Sequence, residues 1–344
     1  MSGNFATWLN TATLPEFSDL IIKQFSHQKE MVMPAAAQLF IQEDLSGWGS
    51  DTKRYDEVDI ETFAKLKREG ENSQKAKSGV GYNKTMQARR YAMEINVSWE
   101  YRRYSQQYAT RVKADLTNMN HFIPQRFDLN LSHVFSFATS TSYTDMDGET
   151  IDVSAGDELA LAYSAHTLAH SSETYRNRVN GDPTMSQGAL EAAESLFVTD
   201  ILSNFGERRV LTPNKIFTSD DPNTCRTLRQ ILNSTADVDA AQAGVENTFK
   251  GKYIHVELPY LATTATAGRD STKKRWWGML SCYGNPTNSF QAYYGIFERA
   301  NMKMPNAGNN GEDFSNDDWK YGVRGSMGQT VLSARGLVMS CPTS

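Results

Sequence analysis

The chain has 344 residues, 39% apolar and 22% charged, enough to bury a core in one elaborated domain or two smaller ones. Its formal charge of −5 excludes a general nucleic-acid binder, whose phosphate contacts would need a basic excess. With no basic segment leading into an apolar run at the start and no stretch of about 18 apolar residues, neither a secretory leader nor a membrane-spanning helix is expected.

Cys225, Cys282 and Cys341 lack CxxC spacing, so buried free thiols of a cytosolic protein are expected in place of a disulfide framework or zinc knuckle. Abundant Phe and Tyr favour extended sheets and broad contact surfaces over a simple helix bundle. Residues 1–50 show no sustained periodicity. They read as an extended arm with a short helix near Glu16–Phe25 and a loop at "DLSGWGS".

Residues 53–99 read as a long two-stranded hairpin. Tyr55, Val58 and Ile60 mark its first strand, and Tyr91, Met93, Ile95, Val97 and Trp99 alternate cleanly along its second. The polar tip, about Arg68–Tyr82, carries too little apolar surface to fold onto its own subunit. Charge is segregated along it. Asp56, Glu57, Asp59 and Glu61 mark the ascending strand, and Lys65, Lys67, Arg68, Lys75, Lys77 and Lys84 gather toward the tip. Together with Arg89 and Arg90, these are the candidate contacts to a neighbouring subunit.

From Tyr101 to Thr139 the period becomes helical. Val112, Leu116, Met119, Ile123, Phe127, Leu131, Val134, Phe135 and Ala138 form one stripe, which Pro124 should kink or divide. Strand and turn material follows, with a hairpin turn at Asp147–Gly148. A second amphipathic helix spans 185–204, capped by Thr184 or Ser186 and ended near Gly206. "RRVLTPN" reads as a buried strand stopped by Pro213. A third helix is capped by Asp220 or Asp221, with Pro222 in its first turn. Short strands are expected in "KYIHVELPYL", "RWWGMLSCYG", "SFQAYYGIFERA" and "DWKYGVRGSMGQTVLSAR". The pattern is α+β, and no fixed-period repeat is present.

That order of segments resembles the major capsid proteins of tailed phages with the Hong Kong 97-type fold. The words that carry the resemblance are "LALAYSAHTLAHSSETYRNRV", an apolar strand ending at His166 and then a polar loop with Asn177, followed by "RRVLTPNKIF", "GKYIHVELPYL" and "DDWKYGVRGSMGQTVLSARG". It covers about residues 50–340, and the order of the pieces is more specific than any one of them. The resemblance implies an N-terminal arm at 1–50, an extended loop at 51–97, a peripheral domain at 98–182 and 317–344 with a long spine helix, and an axial domain at 183–316. It also implies a homo-oligomer of hexamers and pentamers closing an icosahedral shell around double-stranded DNA, which is held by non-specific contact. The expected location is the virion, after assembly of a procapsid in the host bacterial cytoplasm. With only residues 1–50 ahead of the loop, a separate scaffolding protein is expected, together with a portal and decoration or head-completion proteins. Lys75, Lys77 and Lys84 would be candidates for a cross-link to Asn by location only. The encapsulin-type nanocompartment shell, which shares the fold and holds enzyme cargo, is the alternative.

No catalytic, cofactor-binding or metal residues are expected. His166 and His170 are four apart with Glu173 beyond them, a possible zinc set for a hydrolase, but no Glu stands between them and the strand-to-loop context spoils helical spacing. No nucleophile elbow or ordered triad is present. "GVGYN" at 79–83 and "NAGNNGED" at 306–313 lack a P-loop ending and read as turns. The pairs Arg89–Arg90, Arg102–Arg103 and Arg208–Arg209, and Lys273–Lys274–Arg275 beside Trp276–Trp277, could meet nucleic acid. Salt bridges between subunits or solvated turns are the preferred reading.

Overall fold

Two four-stranded sheets, each backed by helix, organise the chain. The computed structural model describes residues 34–61, 63–98, 100, 104, 108–235, 246–283, 290–303 and 319–343. The short helix expected at Glu16–Phe25, Trp99, Arg102, Arg103, the glycine-rich 306–313 and the side chains of Val112 and Leu116 lie outside the described parts.

In chain order the strands are β1 (Ile41–Asp44), β2 (Thr52–Ile60), β3 (Ser78–Gln87), β4 (Arg89–Val97), β5 (Ser142–Thr144), β6 (Thr150–Asp152) and β7 (His166–Thr167). They continue as β8 (Thr174–Tyr175), β9 (Lys215–Ser219), β10 (Ile254–Leu258), β11 (Trp277–Leu280), β12 (Gln291–Lys303), β13 (Trp319–Ser333) and β14 (Leu337–Ser340). Among the described residues the α-helices are α1 (Tyr108–Ser136), α2 (Gln187–Thr199) and α3 (Pro222–Asn233). The result is an α+β architecture. No described helix is long and apolar enough to cross a membrane.

The first sheet has the order β1-β12-β13-β4. Its central strand, β13, points Tyr321, Val323, Met327 and Val331 to one face, the period-two set of a half-buried strand. That face meets Met119, Ile123, Phe127, Leu131 and Phe135 of α1 in one core cluster. The helical stripe read from spacing is therefore the buried stripe, each large member contributing roughly 1.5–3 kcal/mol on burial. α1 runs through Pro124 undivided.

The second sheet, β10-β9-β11-β14, packs with α2 and α3 around a separate core. α2 starts where Ser186 accepts from Ala189 N at 3.2 Å, and α3 where Asp221 accepts from Thr224 N at 3.0 Å ahead of Pro222. Both caps satisfy amides that have no partner inside their helix. Trp277 is fully buried in this core and donates its indole N–H to Pro183 O at 3.0 Å, while Trp276 is buried against the other. The expected turn at Asp147–Gly148 joins β5 to β6, with Gly148 at φ +84°.

Three expectations change. First, β2 pairs with β3, whereas the strongly alternating β4 pairs with β13 inside the first sheet. The hairpin is thus 52–87, and its alternating neighbour is a core-sheet strand. Second, "RRVLTPN" is not a strand. Arg209 N instead binds Ile201 O at 2.9 Å and Val210 is exposed, and the buried strand β9 begins only after Pro213, which has no N–H to give a ladder. Third, "LALAYSA" at 159–165 forms no strand. The fully buried Asn177 amide replaces a strand partner there: its Oδ1 accepts from Tyr163 N at 2.9 Å, and its Nδ2 donates to Leu161 O at 2.7 Å and Ala334 O at 3.4 Å.

Candidate interaction surface

The β2–β3 hairpin divides along its length into three environments. At the root, Tyr55 and Met86 are buried with Leu45, Tyr293 and Leu332 in a small apolar cluster. The Tyr55 ring stacks on Tyr293, centroids 4.1 Å apart, and its hydroxyl donates to Glu43, which also pairs with Lys53 at 2.6 Å. Desolvation, with help from Glu43, pushes the Tyr55 hydroxyl far above its ordinary pKa, so it stays a donor. The root thus packs on its own chain, and so does the end of the expected tip, where the Tyr82 hydroxyl bonds Thr167 at 2.9 Å.

The middle is a buried polar joint. Glu57 is 3% exposed and ion-pairs with Arg335, itself 5% exposed, just past the end of β13. Arg335 also donates to Asn204 Oδ1 and lies over the Tyr175 ring at 5.6 Å. Asn204 N donates to Asp59 Oδ2 at 2.9 Å. Gly81 on β3 closes the joint. A Cβ there would stand 2.7 Å from Asn204 Nδ2 and 2.8 Å from Glu57 Oε2, so no side chain fits without moving the pair. Lys84 reaches Asp152 at 2.5 Å and Ser154 at 2.7 Å, and the Tyr82 hydroxyl bonds Thr167 at 2.9 Å.

Beyond the joint, residues 63–78 are exposed throughout. Glu61 binds Lys65 at 3.1 Å and accepts from Lys77 N at 3.0 Å. Those contacts, led by the backbone N–H, hold its carboxyl below the usual range. Lys67, Arg68 and Lys75 project into solvent, and Asp56 pairs locally with Arg54 at 2.8 Å. On β4, Arg89 is half-buried and exposed Arg90 lines a groove of about 470 Å³ against α1.

Strand period places Tyr55, Glu57 and Asp59 on the face toward the body, and the face away from it carries Val58, Ile60 and Val80. Val58 and Val80 are cross-strand partners. Val58 is 72% exposed, and Leu66, farther along with exposed Phe63, is 79% exposed. Past the root the usual arrangement is inverted: Glu57 and Asp59 face the body, and Val58, Ile60 and Val80 face water. The sequence shows the acids and the apolar residues but not which way each faces. The signal lies in the parity of Glu57 against Val58, which becomes readable once the pairing of β2 with β3 is known.

The other candidates are dispersed. His166 is fully buried, with Nδ1 2.8 Å from Asp157 and Nε2 3.2 Å from Asn177, while its ring stacks on Tyr175. Burial opposes ionisation of Asp157 most strongly, yet the His166 contact and the Leu159 and Thr167 N–H donors together outweigh it and hold that carboxyl below its usual range. His170 stacks instead on Phe205 and Glu173 is exposed, so the three do not converge as a donor set. Arg208 donates to Val198 O at 2.7 Å. Lys273 is buried, 3.8 Å from the Phe137 ring centroid and 3.2 Å from Asp270, an interior cation and not a phosphate contact. Cys225 and Cys341 are buried free thiols as expected, and Cys282 is a half-buried one.

No family model and no curated protein matches the chain. Solved structures do. One from Mycobacterium phage Adephagia is 13% identical at a TM-score of 0.47, covering 91% of each chain. One from Microbacterium phage Oxtober96 is 14% identical at 0.46, covering 90% of this chain and 91% of that one. A third, titled as the capsid asymmetric unit of cyanophage Pam1, is 13% identical at 0.47, covering 88% and 87%.

Proposed function

We propose that this chain is a shell subunit, the major capsid protein of a tailed phage, and that it performs no catalysis of its own. The observation that carries the proposal is the inverted hairpin. A strand pair that turns Glu57 and Asp59 toward its own body, with Val58, Ile60, Phe63, Leu66 and Val80 facing water, has its outer apolar surface ready for another molecule. The order of segments in the sequence supports the same reading. The hairpin, with Lys67, Arg68 and Lys75 at its tip, lies on a neighbouring copy, and repetition of that contact closes pentamers and hexamers into a shell around double-stranded DNA. Each added subunit makes several such contacts at once, so individually weak interfaces give a stable assembly. A separate scaffolding protein and a portal are the expected assembly partners.

Electron microscopy and analytical ultracentrifugation of the purified chain, alone and with scaffold, test this. Closed particles are expected from the native chain and none from a Val58→Asp, Leu66→Asp variant that keeps its folded spectrum. A native chain that stays monomeric or dimeric even with scaffold present would overturn the reading.

A further inference from the structure

Among the described residues, the donor atoms of Cys225, His255 and Glu257 lie within 4.8 Å of one another. They come from two elements that face each other. His255 and Glu257 are two apart on β10, an edge strand of the second sheet, and so share a face; Cys225 is in the first turn of α3. Thr218 of β9 stands between them, its Oγ1 2.8 Å from His255 Nε2 and 3.4 Å from Cys225 Sγ.

The geometry around the imidazole gives the cluster its meaning. In the tautomer whose Nε2–H donates to Thr218 Oγ1, 2.8 Å away, Nδ1 carries the lone pair and lies 3.9 Å from Glu257 Oε1. Arg229 neutralises that oxygen, and the donor atoms of the three side chains, within 4.8 Å of one another, are spaced as ligands around one ion. In a tetrahedral zinc site, bonds of about 2.0–2.3 Å place donor atoms roughly 3.3–3.8 Å apart. Side-chain rotation of about 1 Å closes the set. A ligating histidine whose other nitrogen is fixed by a neighbouring oxygen is the usual outer arrangement of such sites. Thiolate, imidazole and carboxylate together select zinc over the oxygen-loving magnesium and calcium. Arg229 holds Glu257 Oε1, the oxygen 3.9 Å from His255 Nδ1, so Oε2 is the oxygen left for a metal once the carboxyl turns.

We propose that Cys225, His255 and Glu257 bind one Zn²⁺, with the fourth position open to water on the Glu257 side, and that the ion ties α3 to the edge of the second sheet. Binding displaces the thiol proton of Cys225 to solvent, and Ser219 O, 3.2 Å from Sγ, loses its donor. The site is independent of assembly: it can be present in a chain that forms no shell and absent from one that does.

The full-length chain, stripped of metal with a chelator and then titrated with CoCl₂ and ZnCl₂, tests the proposal. One equivalent of Co²⁺ should produce a thiolate-to-cobalt charge-transfer band that Zn²⁺ bleaches. The band should vanish in Cys225→Ser and persist in Cys282→Ser. His255→Gln should weaken Zn²⁺ binding by more than the roughly 10–100-fold that loss of an outer partner costs. Zn²⁺ should raise the melting temperature of the native chain and not that of Cys225→Ser. A native chain with no thiolate band, or a band that survives Cys225→Ser, overturns the assignment, and neither result depends on the folding of a variant.

Discussion

Removing Arg335 tests how the hairpin is held. The two charges are 5% and 3% exposed as residues, so the pair is desolvated and does not behave as a surface salt bridge. Arg335→Met leaves the Glu57 carboxylate buried without its cation, a change that costs about 3–5 kcal/mol when one partner of a buried pair is lost. The apolar root around Tyr55 and Met86 is a separate cluster, so the loss falls on the middle of the hairpin. At about 1.4 kcal/mol per decade, 3 kcal/mol corresponds to roughly a hundredfold larger open population. Hydrogen exchange should therefore quicken about a hundredfold at Val58–Ile60, at Gly79–Gly81 and at the Asn204 amide, which donates to Asp59. The root should change little. The double variant Glu57→Met, Arg335→Met removes both charges and should recover at least about half of the loss, since a buried pair replaced by apolar groups is often neutral. Exchange in the single variant unchanged within about threefold, or a double variant as open as the single, would refute the assignment of the joint to this pair.

Two further outcomes follow from other buried groups. Burial, followed by repulsion from Lys273 and Arg126, pushes His133 down to about 4, against partial compensation by Asp145. The unfolded chain then takes up a proton near pH 6.5 that the fold refuses until about pH 4, so stability falls as pH drops through that window, by about 3 kcal/mol. Urea midpoints of His133→Gln should show a flatter profile there than the native chain, and equal slopes would remove His133 as the cause. Asn177→Ala strands Leu161 O and Tyr163 N in the interior, at about 1–3 kcal/mol for each unpaired group. The urea midpoint should report a loss of about 3 kcal/mol, and a loss below about 1 kcal/mol would mean that the 159–165 segment is held by something else.

What could be read in advance was local chemistry. Ser186 and Asp221–Pro222 signal helix starts within four residues, and the α1 stripe from Met119 to Ala138 repeats its period often enough to be unambiguous. β12 and β13 carry their own alternation. The hairpin partner is hidden in the sequence because β3, "SGVGYNKTMQ", has two glycines and few apolar residues, while β4 alternates strongly toward a sheet whose other member lies more than 220 residues away. β9 reads too early in the sequence because Pro213 looks like the end of a strand when it stands two residues before one. The polar joint was beyond reach: Glu57 and Arg335 are 278 residues apart, and nothing in either neighbourhood marks the other. The same holds for Cys225 against His255, which only the packing of α3 on β9 and the pairing of β9 with β10 bring together.

The inverted hairpin also separates two energies that most strands combine. In an ordinary half-buried strand, the apolar face holds the fold together, so altering it unfolds the chain. Here Tyr55, Met86 and the Glu57 joint hold the strand pair to its own body, and Val58, Ile60 and Val80 contribute almost nothing to that. Substitution on the outer face can thus tune contact strength across a wide range without touching the stability of the subunit. Substitution on the inner face does the reverse, changing how firmly the hairpin is presented while leaving the surface it presents intact.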